Sequence, residues 1–231
     1  MADYKGIQGY SVQNLSSDPG TLSEVEGQLW YNSTTGKFNI SVAGSGAWSS
    51  GGSLGTARYQ AAGDGIQTAA YCVGGATPTI SALNEQYDGT SWTETADLQT
   101  ARSNLGSFGT PSTALAFGGN SPSITDITES WNGSAWSEVG DLNQSRTGLC
   151  GNGAGISNSS GLVAGGTITP NTDETETWNG TSWTEVADLN SARTELGGAG
   201  SSNTNALVFG GDPGAVAVTE SWNGTAWTEV G

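Results

Sequence analysis

Three residue types in this chain could do chemistry: arginine, the carboxylates and tryptophan. Arg58, Arg102, Arg146 and Arg193 recur at separations of 44, 44 and 47 residues. Each is followed by a glutamate shortly ahead of an aromatic residue: Glu85, Glu129, Glu176 and Glu220. An aspartate (Asp97, Asp141 or Asp188) stands five residues before the second, third and fourth arginine. Clustered arginines could grip a substrate carboxylate, paired acids could hydrolyse a glycosidic bond, and exposed tryptophans could stack on sugars. None of these sets converges in the sequence. The arginines come one per repeated unit, which spreads them, and the reading that suits them is a planar hydrogen-bonded cross-link between units with one of these acids. The chain has no histidine, so it lacks the commonest general base and the usual metal ligand. Spacing selects no catalytic, cofactor-binding or metal-ligating residue, and the chain reads as a non-enzyme without cofactors.

The elements that must position these residues follow from a motif present four times: NEQYDGTSW (84–92), TESWNGSAW (128–136), TETWNGTSW (175–183) and TESWNGTAW (219–227). A period of this length marks units that cannot bury their apolar faces alone. Each unit opens on its arginine, passes through small residues and enters an apolar run ending in Gly-Gly: AAYCVGG (69–75), ALAFGG (114–119), GLVAGG (161–166) and ALVFGG (206–211). A polar loop with Pro78, Pro122, Pro170 or Pro213 leads to an alternating strand such as 124–131. An Asp-Gly or Asn-Gly turn, whose two residues both accept positive φ, then reverses the chain into a last strand such as 134–140. The expectation is an all-β β-propeller over 51–231, with four repeats of four antiparallel strands at about 56–99, 100–143, 144–190 and 191–231. The glycine-rich first strands suit the crowded axis. Trp92, Trp131, Trp136, Trp178, Trp183, Trp222 and Trp227 would lie between blades farther out. The loops at 76–84, 120–127, 167–174 and 212–218 differ in every copy and are the place for recognition, over a shallow surface.

Composition agrees with many short strands and tight turns. Glycine supplies 37 of 231 residues and charged residues only 12%. Nine tryptophans supply enough apolar area to keep such a chain from disorder. Six basic against 22 acidic residues give a net charge of −16, which disfavours nucleic acid and anionic membrane as partners. The acidity suits solubility in a salty medium, with divalent-cation binding as the other reading. No apolar run is long enough for a spanning helix, and MADYKGIQGY has no apolar core behind a basic start. Cys72 and Cys150 have no metal-type spacing and read as small buried hydrophobes, a disulfide between them being the alternative. The expectation is folding in a cytosol.

Residues 1–50 lack the repeat. GQLWYNSTTGKFNISV (27–42) reads as a hairpin with strands 28–32 and 37–42 around a turn at 33–36. Trp48 precedes Arg58 by ten residues, as Trp92, Trp136 and Trp183 precede the other arginines. So 46–50 looks like the last strand of a further blade. Either more repeats follow Gly231, the expectation preferred here, or the strands of 29–50 build a fifth, irregular blade.

The order of apolar run, Gly-Gly, aromatic, Trp and Arg over 56–231 resembles the kelch repeat, with Trp-Asn-Gly replacing Tyr-Asp in three copies. The resemblance implies a kelch-like β-propeller, and the missing histidine excludes its copper-radical oxidase members. YDGTSW (87–92) is similar to the Asp-box hairpin of sialidases, one residue short. The hairpin 27–40 resembles those of tailed-phage structural proteins, particularly fibres of marine phages. That resemblance implies a virion protein, a fibre or decoration assembled in the host cytoplasm, whose 1–50 region attaches to other virion proteins. The propeller would be displayed for adhesion to a host-surface glycan or protein, in a homo-oligomer. The alternatives are a kelch-type protein- or glycan-binding module outside virions and a degenerate sialidase-like hydrolase.

Overall fold

The computed structural model describes residues 13–15, 29–40, 50–149, 154–214 and 216–230. The chain divides into two compact units, residues 1–50 and 51–231. In the first, β1 (Gln13–Leu15) pairs in parallel with β2 (Leu29–Asn32), which forms an antiparallel hairpin with β3 (Lys37–Ile40). Asn32 nucleates the turn by accepting the backbone N–H groups of Thr34 and Thr35 on its side-chain oxygen. The hairpin therefore belongs to a three-stranded mixed sheet, unlike a four-stranded antiparallel blade. Trp48 and Cys150 lie outside the described residues.

The second unit is four blades of a β-propeller. Blade 1 consists of β4 (Ala62–Ile66), β5 (Ala69–Val73), β8 (Asn84–Tyr87) and β9 (Trp92–Glu94), with the ribbon β6 (Ala76–Thr77) and β7 (Thr79–Ile80) in its crossover. Blade 2 repeats this with β10 (Gly106–Thr110), β11 (Thr113–Phe117), β14 (Thr128–Trp131) and β15 (Trp136–Glu138), and the ribbon β12 (Asn120–Ser121) and β13 (Ser123–Ile124). Blade 3 comprises β16 (Ala154–Ser157), β17 (Ser160–Ala164), β18 (Thr175–Trp178) and β19 (Trp183–Val186). Blade 4 comprises β20 (Gly197–Ser202), β21 (Asn205–Phe209), β22 (Thr219–Trp222) and β23 (Trp227–Val230).

Two local expectations change. The alternating stretch 124–131 is two strands: Ile124 pairs with Asn120 in the ribbon, and only 128–131 joins the blade. The ladder explains the break, because β14 is already filled by its four partners on β11 before the crossover begins. The Asn-Gly hairpins span four residues between paired tryptophans such as Trp131 and Trp136, and only the glycine has positive φ, +94° at Gly133. Asn132 keeps an ordinary φ because its side-chain oxygen caps the N–H groups of Ser134 and Ala135.

Each blade shows a front face to the blade that follows and a rear face to the one before. Among the described residues three apolar clusters fill three junctions. Tyr71 and Val73 of blade 1 meet Ala114, Ala116, Trp131 and Trp136 of blade 2. Leu115 and Phe117 meet Val163, Trp178 and Trp183. Leu162 and Ala164 meet Ala206, Val208, Trp222 and Trp227. Where the front residue is large, the rear strand is small, which lets the sheets close to packing distance.

Candidate functional site

The four arginines have buried side chains, and each pairs with the glutamate of its own repeat. The N–O distances are 2.8 Å for Arg58–Glu85, 3.1 Å for Arg102–Glu129, 2.6 Å for Arg146–Glu176 and 2.5 Å for Arg193–Glu220. The cross-link expected between blades is thus a bond within a blade. The guanidinium spans the gap that opens where the second strand leaves the third, and fills it with hydrogen bonds to main-chain carbonyls. Arg102 donates to the carbonyls of Gly118 and Ile127 at 3.2 and 2.5 Å. Arg193 does the same to Gly210 and Val218. Burial pulls the Arg102 guanidinium below its ordinary pKa, and the Glu129 charge opposes that shift.

The other carboxylate oxygen holds the incoming linker. Glu129 accepts the backbone N–H of Gln99 at 2.7 Å, Glu176 that of Asn143 at 2.8 Å, and Glu220 that of Asn190 at 2.9 Å. Gly55 occupies this place on Glu85. Asp97 and Asp141 do not pair with arginine; they accept the backbone N–H of Asn84 and Thr128, so each fastens its own blade's linker to its third strand. Glu174 gives Arg146 a second carboxylate at 3.3 Å, and burial raises its pKa despite that partner.

Main-chain bonds tie one blade to the next. The second glycine of the first three Gly-Gly pairs donates its N–H to the carbonyl of the arginine opening the following blade: Gly75 to Arg102, Gly119 to Arg146 and Gly166 to Arg193, all at 2.8 Å. The arginine N–H returns a bond to Ser81, Thr125 or Thr172. The first glycine needs φ near +65° and lies against the next arginine's carbonyl and a leucine (Leu105, Leu149 or Leu196), where a Cβ would not fit.

Tryptophans complete the junctions. Trp131, Trp136, Trp178, Trp183, Trp222 and Trp227 are buried, and the rings of each hairpin pair pack at a tilt with centroids 5.4 Å apart. Trp183 and Trp227 reach back and donate their indole N–H to Thr128 and Thr175 of the preceding blade, both at 3.0 Å. Trp92 differs. It packs at a tilt on Tyr87 at 5.2 Å but is only half buried, as is Tyr87. The six buried rings offer nothing to a sugar. Residues that do not stand out by type also act here: Leu98, Leu142 and Leu189 are buried in the three junctions, and the Gln or Asn after each binds the glutamate. The recurring Asp-Leu-Gln/Asn ahead of Arg102, Arg146 and Arg193 is their signal in the sequence.

No protein-family model matches the chain, and no curated protein matches it.

Ala57, Arg58, Tyr59, Ala76, Thr77 and Pro78 line a shallow hollow of about 560 Å³ beside the blade 1 ribbon, where Tyr59 is exposed. Among the described residues no group of three or more His, Cys, Asp or Glu could hold a metal. The free thiol of Cys72 is half buried on the rear face of blade 1.

Proposed function

We propose that this chain is a non-enzymatic structural protein of a tailed-phage virion, displayed as a fibre or decoration and serving adhesion to the host surface. One observation carries the reading: the side chains equipped for chemistry are consumed in building blades. The arginines and their glutamates are buried and paired, and six of the repeat tryptophans are buried between sheets. The varied polar crossover loops are left as the recognition surface, on a scaffold held by hydrogen bonds. The repeat's resemblance to kelch propellers and the 27–40 hairpin's resemblance to marine-phage fibre proteins support the assignment. In it, residues 1–50 attach to other virion proteins, and the blades face outward as a homo-oligomer. Quantitative mass spectrometry of purified particles tests this: the chain is expected in fixed stoichiometry with other virion proteins, and its absence from particles contradicts the proposal.

A second reading, a kelch-type binding module outside virions, is favoured by the Tyr59–Pro78 hollow, which could hold an apolar sugar face or a peptide proline. It predicts that Tyr59→Ala abolishes retention of the chain on a glycan or peptide array.

A further inference from the structure

The array has two unfinished ends, and they are complementary halves of one junction. On the front of blade 4, Phe209 lies over Gly197 as Phe117 lies over Gly106. Phe117 is fully buried against Trp183 of the next blade, with centroids 5.0 Å apart, whereas Phe209 is 44% exposed. A Cβ at Gly210 would meet nothing nearer than 3.8 Å, whereas at Gly74, Gly118 and Gly165 it would strike the next blade. Among the described residues the Gly211 N–H has no arginine carbonyl to bond, unlike Gly75, Gly119 and Gly166. Thr219, equivalent to the fully buried Thr128 and Thr175, is half exposed and receives no indole N–H.

The rear of blade 1 carries the missing halves. Trp92 and Tyr87 already pack in the tilted geometry of the buried pairs but stand half exposed, and Ala70 and Cys72 occupy the positions of Ala114 and Ala116. The first strands pack on each other in the order β4, β10, β16, β20, with no comparable contact from β20 back to β4.

We propose that a second copy of this chain completes both ends. The front of blade 4 in one copy docks on the rear of blade 1 in the other, and the reverse contact closes the pair. Phe209 packs on the partner's Trp92, whose indole N–H donates to Thr219. The Gly211 N–H donates to the carbonyl of the partner's Arg58. This chain holds both halves, so association with a second copy satisfies two faces at once. Such a front-to-rear contact must close or grow without limit. Two arcs of four blades make eight, within the range of about four to eight blades that closed propellers use, and three would exceed it. The inference stands apart from the virion proposal and survives its failure.

The experiment uses the full chain, its Phe209→Glu variant and its Ser134→Glu variant, a control at an exposed turn. Light scattering after size exclusion gives the oligomeric state, and iodoacetamide labelling of Cys72, read by peptide mass, reports cover over the rear of blade 1. The parent chain and the control are expected to be dimers with Cys72 protected. Phe209→Glu is expected to be a folded monomer with Cys72 labelled, because a buried unpaired carboxylate weakens association by about a hundredfold or more. A dimer that persists in Phe209→Glu places association elsewhere and overturns the proposal. A monomeric parent chain overturns it too; if Cys72 is nonetheless protected, the chain's own amino-terminal region covers that face.

Discussion

At the scale of single residues, each arginine holds carbonyls that would otherwise be unpaired where a blade splits. Arg102 joins three main-chain carbonyls of blade 2 to Glu129, and both side chains are fully buried. Removing one member strands the other without water. Arg102→Met is expected to lower stability by about 3–5 kcal/mol, and Glu129→Gln, which keeps an acceptor for the Gln99 amide, by about 1–3 kcal/mol. Urea titrations of the singles and the double measure these losses and the coupling. Asp88 makes a finer point. The backbone N–H groups of Ser91 and Thr90 hold its carboxyl below the usual aspartate range. Its folded pKa is depressed, so its contribution is present above the unfolded value of about 3.9 and is lost as pH falls through the lower folded value. The other three repeats carry asparagine at this turn with the same two bonds. Asp88→Asn is therefore expected to leave the urea midpoint unchanged at neutral pH and to flatten its fall in acid.

At the scale of elements, the junctions compare one with another. Trp183 and Trp227 bond a threonine hydroxyl of the preceding blade. The equivalent acceptor for Trp136 is Asn84, and there both the indole N–H and the Asn84 side-chain oxygen lack a partner. Asn84→Thr is expected to restore the bond and raise stability by about 1 kcal/mol, seen as a higher urea midpoint with unchanged slope. The strands, their turns and the tryptophan pairs were legible in the sequence, because Gly-Gly, Asn-Gly and alternation act locally. The arginine's partner was not. Spacing offered Glu129 and Asp141 equally, and the choice depends on a crossover that folds the third strand back onto the second. The bonds from Gly119 to the Arg146 carbonyl left no trace either, since every residue has a carbonyl and only the fold selects one.

At the scale of the whole molecule, the repeat predicts its own interfaces. Three junctions share one design, and the half-exposed Trp92 and the open Phe209 are, among the described residues, the two halves of that design left unjoined. The irregular amino-terminal sheet, with its parallel β1–β2 pair, lay outside what a hairpin pattern could reveal, because β1 is contributed from a polar stretch. The proposed display on a particle and the proposed association of copies belong to this scale too, and both would rest on blades joined through main-chain bonds. Amide hydrogen exchange in the Phe209→Glu chain, resolved at the second glycine of each Gly-Gly, tests that design most directly. Gly75, Gly119 and Gly166 are expected to be strongly protected by the following arginine's carbonyl, and Gly211 to exchange fast. Equal protection at all four, or none at the first three, would contradict it.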